Sequence, residues 1–189
     1  IYKQKSIIEA FKEVGFTTVF ISNQSANRTF TDYFAQEADH TDYYRFFDEN
    51  TNNFDEVLLP RLQHYIDSVE GSMFVILHTY GSHFNYQERY PAEFSVFKPD
   101  NVGEIKRSNK DILVNAYDNT ILYTDNFLHN VINTLNRANS CSSIFYLSDH
   151  GEDILDDKRQ RFLHASPNPT FYQLRIPMFM WFSSEYKHN

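Results

Sequence analysis

The stretch Ile144-Phe145-Tyr146-Leu147-Ser148-Asp149-His150-Gly151-Glu152-Asp153 decides how the chain is read. Its first four residues form an apolar run too short for a helix, so they read as a buried strand. A carboxylate and an imidazole then stand side by side where that strand leaves the core. Working outward, residues 17–21 (Thr-Thr-Val-Phe-Ile) and 72–77 (Ser-Met-Phe-Val-Ile-Leu) read as further strands. Residues 175–182 read as a fourth, with Pro177 marking a strand start or edge. Between the strands lie helical periods. Ile7, Ile8, Phe11 and Val14 predict a helix over 6–14 capped by Gly15, and Val57, Leu58, Leu62, Tyr65, Ile66 and Val69 predict a second. Pro60 sits near the start of that second helix or kinks it. Over 111–138, Ile112, Ala116, Ile121, Phe127, Leu128, Val131, Ile132 and Leu135 suggest one long apolar stripe. The polar stretch up to Asn53 and the aromatic loop up to about Asn109 have no firm period.

Helices alternating with strands give an α/β class with a mostly parallel central sheet and helices on both faces. In such sheets ligands bind beyond the carboxyl ends of the strands. The exits are Ser22-Asn23-Gln24, His78 to His83, and Ser148 to Asp153. His78 or His83 can therefore meet Asp149 and His150, and His164, at the end of a charged loop, can fold back to them. Two or three imidazoles with a carboxylate are a usual donor set for zinc, and imidazole suits other transition metals too. The bland alternatives are solvated histidines and an Asp149 that caps the next segment. Glu152, Asp153, Asp156 and Asp157 read as a solvated acidic turn, with a second cation as the alternative. Asp118 and Asp125 share a helix face and read as solvated or bonded to a loop. Phe84, Tyr86, Tyr90, Phe94 and Phe97 read as loop packing, with a ligand box as the alternative.

The 189 residues, 41% of them hydrophobic, suffice for one domain with a real core. A net charge of −8 and the absence of a basic run argue against nucleic acid as a partner. Cys141 is the one cysteine, so no intrachain disulfide forms, and its thiol is expected to be buried. No run of 18 apolar residues is present to span a bilayer. The chain begins Ile-Tyr-Lys-Gln-Lys without a Met and runs straight into a helical pattern, so it is expected to be part of a longer protein.

Several stretches together resemble a known family. They are His78-Thr79-Tyr80-Gly81-Ser82-His83, Arg89-Tyr90-Pro91, Asn115-Ala116-Tyr117-Asp118-Asn119, Tyr123-Thr124-Asp125, Ser148-Asp149-His150-Gly151-Glu152, Leu163-His164 and Ile176-Pro177-Met178. In this order they are similar to the phosphoethanolamine transferases that modify lipid A, on the sulfatase-like fold of the alkaline phosphatase superfamily. The resemblance implies that residues 1–189 are the C-terminal part of a sulfatase-like catalytic domain, with membrane helices and a nucleophile-bearing segment upstream. It implies zinc held by Asp149 and His150 together with a Glu and a Thr from that segment. His83 and His164 would bind the phosphoethanolamine group or a further zinc. The implied reaction carries phosphoethanolamine from phosphatidylethanolamine, through a phospho-threonine, to lipid A or another envelope acceptor. Its place is the inner membrane, with the catalytic domain facing the periplasm. The residues present are expected to bind zinc weakly and catalyse nothing alone. The rival readings are a sulfatase or phosphoglycerol transferase on the same fold, and a non-catalytic domain that binds a head group or partner.

Overall fold

The computed structural model describes residues 4–26, 30–44, 53–164 and 167–188. Where composition suggested one folding unit, the chain divides just past its third strand into two compact units, Ile1–Gly81 and Ser82–Asn189.

In the first unit, α1 (Ile7–Glu13) starts where the Ser6 hydroxyl accepts the Glu9 N–H at 3.1 Å. It stops before Gly15, whose φ of +87° closes the helix end. The strands β1 (Thr17–Ser22), β2 (His40–Tyr43) and β3 (Met73–His78) form a parallel sheet in the order β2-β1-β3. The central strand is buried from Thr18 to Ser22. Ile8, Phe20 and Ala35 form the core, and Phe34, Tyr43, Phe74 and Ile76 pack around them. Phe11 stacks on Phe74 with centroids 4.1 Å apart, seating α1 on the sheet. Between β1 and β2 lies a short helix, α2 (Phe30–Ala35). These two elements fall in the stretch read as aperiodic, of which residues 27–29 and 45–52 lie outside the described residues.

In α3 (Leu58–Ser68), Leu58, Leu62 and Tyr65 make the buried stripe. Pro60 is its third residue, where a missing N–H costs no helical bond. Arg61 and Tyr65 reach from this helix to β2: Arg61 Nε donates to Asp42 Oδ2 at 2.7 Å, and Tyr65 Oη donates to the same oxygen at 2.7 Å.

The second unit is built on α4 (Lys110–Ala138), which ends at Asn139 in the left-handed region with φ +50°. Its buried side chains are Leu113, Ala116, Asn119, Thr120, Tyr123, Phe127, Val131 and Thr134. The stripe is thus rotated from the one suggested by the apolar residues alone, and Ile121 is exposed. Asn119 explains the shift. It is fully buried, and its Oδ1 accepts the N–H groups of Val96 and Phe97 at 3.0 and 2.9 Å. Its Nδ2 donates to Phe97 O at 3.0 Å and to Asp100 Oδ2 at 3.1 Å. A polar helix residue thereby holds the loop that precedes the helix. In that loop Tyr86 and Tyr90 are buried, as loop packing requires, while Phe97 is exposed.

After α4 come β4 (Ser143–Leu147), the short ribbon β5 (Asp153–Ile154) and β6 (Phe162–Leu163), α5 (Phe171–Leu174), β7 (Met178–Phe182) and α6 (Ser184–His188). The α/β class holds, but β7 runs antiparallel to β4, with Leu147 opposite Met178. It begins directly after Pro177. Leu113, Ile154 and Leu155 form a core with Val102, Val114, Tyr117 and Phe162 around it. Cys141, expected inside, is exposed because it lies in the tight connection between Asn139 and β4.

Candidate metal centre

The turn after β4 is held by its own polar groups. Ser148 N–H donates to Pro177 O at 3.3 Å, and its hydroxyl donates to His150 O at 2.8 Å. Gly151 N–H donates to Gln173 O at 2.8 Å, drawing the turn against α5. A side chain at this position has no room, since a Cβ would stand 2.1 Å from the Tyr172 carbonyl oxygen. The β5–β6 ribbon then pairs Asp153 with Leu163 and Ile154 with Phe162. One step further along that register sets Glu152 opposite His164.

The result is a cluster in which one ligand atom from each of His150, Glu152 and His164 lies within 4.8 Å of the others. The rings of His150 and His164 are 3.8 Å apart between centroids, and those of His83 and His164 are 6.2 Å apart. Each imidazole has its Nδ1 against an oxygen that can only accept. For His83 this is Phe84 O at 2.5 Å, for His150 it is Gly151 O at 3.0 Å, and for His164 it is Glu152 Oε1 at 2.7 Å. An imidazole bonded in this way uses Nδ1 as the donor, the arrangement in which metal-binding histidines ligate through Nε2.

Asp149 stands beside this cluster. Its side chain is 88% exposed, and its Oδ2 is 3.7 Å from His150 Nε2. Neighbouring ligands on a four-coordinate zinc with bonds of ~2.05 Å are about 3.3 Å apart, so these two atoms fit one ion with little movement. His150 belongs to both sets. Its side chain is 34% exposed, whereas that of Glu152 is only 5% exposed. The buried Glu152 carboxylate lies 3.5 Å from the Tyr86 hydroxyl. Burial, and then the Glu152 charge, drive the Tyr86 phenol far above its ordinary range and push that of Tyr117 up to about 12. Both phenols stay neutral beside the carboxylate. A cleft of about 270 Å³ opens on Asp149, His150 and His164, walled by Pro169, Gln173, Leu174 and Ile176.

The structure brings His83, Asp149, His150 and His164 into one neighbourhood of the second unit. His78, the alternative to His83, lies in the first unit with its Nδ1 2.9 Å from Ser22 Oγ. Glu152 was missed as a site residue because the acidic run 152–157 looked solvated. Instead Glu152 is buried in the cluster. Asp153, more deeply buried, accepts from Thr170 Oγ1 at 2.6 Å and Gln173 Nε2 at 2.5 Å. The signal available in the sequence was the apolar pair Ile154-Leu155 inside the acidic run, which marks an inward turn.

Comparison with known proteins matches this architecture. A family model described as Sulfatase matches residues 1–189. The chain is 30% identical over 192 residues to the Kdo(2)-lipid A phosphoethanolamine 7''-transferase of Escherichia coli (strain K12), covering 99% of this chain and 33% of that protein. It is 38% identical over 144 residues to phosphoethanolamine transferase EptA of the same strain, covering 73% of this chain and 26% of that one. It superposes with a TM-score of 0.86 and 26% identity on the C-terminal periplasmic domain of EptC from Escherichia coli in complex with Zn, over 98% of this chain and 54% of that one. The integral membrane protein lipooligosaccharide phosphoethanolamine transferase A from Neisseria meningitidis gives a TM-score of 0.76 at 31% identity, over 94% of this chain and 34% of that one. The chain thus spans a quarter to a third of the length of these curated relatives. Among the described residues no helix is long and apolar enough to cross a membrane. With the family model matching residues 1–189, the chain belongs to the sulfatase family.

Proposed function

We propose that the protein containing this chain transfers phosphoethanolamine from phosphatidylethanolamine to lipid A or another envelope acceptor, uses zinc, and is anchored in the inner membrane with this domain in the periplasm. Residues 1–189 would be the C-terminal part of its catalytic domain. The observation that carries the reading is the gathering of two imidazoles, His150 and His164, with the buried Glu152 carboxylate, one ligand atom from each lying within 4.8 Å of the others. Its likeness to proteins named phosphoethanolamine transferases supplies the substrate class.

Asp149 Oδ2 and His150 Nε2 are the atoms that would hold the metal. When bound, zinc would supply a Lewis acid for a phosphoryl oxygen and lower the pKa of the nucleophile. His83 and His164 would receive the phosphoethanolamine group, or a further zinc; His164 lines the cleft, and the His83 ring lies 6.2 Å from it. Glu152, bonded to His164 Nδ1, fixes the direction of that ring and leaves its Nε2 to meet the substrate. As imidazolium, the same Nε2 would give its proton to the departing oxygen. The nucleophile is assigned to a threonine outside residues 1–189. Its oxygen would bond to phosphorus as diacylglycerol leaves, and a phosphate or hydroxyl oxygen of the acceptor would then take the group from the phospho-threonine.

The test is the intact and peptide mass of the parent protein after incubation with phosphatidylethanolamine. A phosphoethanolamine adduct on a threonine is expected. A cysteine converted to formylglycine would replace the proposal by a sulfatase, and no modification at either type of site would move the domain to a binding role.

A further inference from the structure

Directly opposed residues of an antiparallel pair share a face. The β4–β7 register therefore puts Phe145 with Met180 and Leu147 with Met178 on one face, and Ile144 with Trp181 and Tyr146 with Phe179 on the other. The first face lies open. Phe145, Leu147, Met178 and Met180 are 56%, 49%, 67% and 58% exposed. None of the ten residues in the two strands is charged. An antiparallel ribbon with one face in water alternates apolar and polar residues, whereas strands covered on both sides read apolar throughout. These two strands have the second pattern, and a sheet with two apolar faces needs a layer on each.

We infer that the open face of β4–β7 is covered by a part of the same polypeptide outside residues 1–189. The likeness to EptC leaves room for it, since the chain accounts for 54% of that solved periplasmic domain while matching it closely over its own length. The inference rests on the family match and not on the transfer chemistry. A second copy is a poorer occupant. Four partly exposed side chains fall well short of the ~800 Å² per partner of a standard interface, and a segment of the same chain escapes most of the entropy cost of association. A membrane is poorer too, because the ribbon carries no Lys or Arg to meet anionic head groups.

The three methionines provide the readout, Met73 in β3 serving as an internal reference for the dose of oxidant. The full-length parent protein in neutral detergent, dilute and monomeric, is treated with hydrogen peroxide and its methionine sulfoxides are quantified by peptide mass spectrometry. Met178 and Met180 are expected to oxidise about tenfold or more slowly than in the same protein unfolded in guanidinium, since oxidation follows access to the sulfur. Rates within about twofold of the unfolded protein would overturn the inference. So would protection that vanishes on dilution, which marks a second copy. Protection seen only in vesicles of phosphatidylethanolamine and phosphatidylglycerol marks a lipid surface and equally overturns it. As a second measurement, Met180→Asp lowers the unfolding midpoint of the parent protein if the face is covered and leaves it unchanged if the face is bare.

Discussion

Gly151→Ala adds one methyl group and should disable the candidate centre. The new Cβ would stand 2.1 Å from Tyr172 O, 3.2 Å from Tyr172 C and 3.5 Å from Arg175 O. The first contact is about 1.3 Å short of the 3.4 Å at which ordinary contact begins. Both partners are backbone, so no side chain can swing aside. Either α5 retreats, stretching the 2.8 Å bond from Gly151 N–H to Gln173 O, or the turn shifts and carries His150 and Glu152 with it. Overpacking of this kind costs ~1–3 kcal/mol or more. A displacement of ~1 Å among reacting groups can cost about a hundredfold in rate. In the parent protein, Gly151→Ala is therefore expected to lose stability in urea titration and to bind zinc at least tenfold more weakly by calorimetry, on the order of the loss seen when ligand support is removed. Gly103→Ala is the control, because a Cβ there meets nothing within 4 Å. If Gly151→Ala matched that control within about 0.5 kcal/mol and twofold in affinity, the close approach of α5 would not be what shapes the turn.

Other consequences are as direct. Asn119→Ala removes an acceptor from two backbone N–H groups and a donor from Phe97 O and Asp100, and should cost about 2–4 kcal/mol in urea unfolding. A loss below about 0.5 kcal/mol would show that the loop holds itself. Glu152→Gln keeps the shape but not the charge, and should weaken zinc binding in the parent protein by ~10–100-fold while leaving its urea midpoint nearly unchanged. Unaltered affinity would remove Glu152 from the centre. The bond from Lys12, followed by the bond from Thr18 N–H, lowers the Asp39 carboxyl to about 2. A depressed carboxylate stabilises the fold above its unfolded pKa, roughly 3.9, and loses that contribution as pH falls toward 2. The stability gap between the native chain and Asp39→Asn should therefore be full at neutral pH and close across that window. A gap that persists at pH 2 would assign it to shape instead of charge.

What the sequence disclosed followed from how strongly each segment announced its period. β1 and β3 were legible because their apolar runs are short and bounded, and α1 because Ser6 and Gly15 mark both ends. β2 was not, since His40-Thr41-Asp42-Tyr43 has only Tyr43 to betray it and gains its place by pairing with β1. The face of α4 was misjudged for a related reason. Asn119, Thr120 and Thr134 are buried for their hydrogen bonds or close packing, which a hydrophobic stripe cannot register. At the candidate centre, strand exits and resemblance pointed to Asp149, His150, His83 and His164, which the structure brings near one another. Glu152 stayed hidden because burial of a carboxylate depends on a partner, His164, that is distant in sequence.

The ribbon of β5 and β6 makes chain length part of the centre. Glu152 and His164 meet only because the residues from Leu155 to Arg161, closed by the bond from Leu155 N–H to Arg161 O at 2.9 Å, count off the right number of positions between them. An insertion or deletion of a single codon there would present a neighbour of His164 to the carboxylate, while every residue named at the centre remained in the protein. Point substitutions within that loop should be broadly tolerated and indels should not. A deletion scan of positions 156–160 scored by zinc uptake would separate the two, and uptake that survives such deletions would show that the turn absorbs the slip.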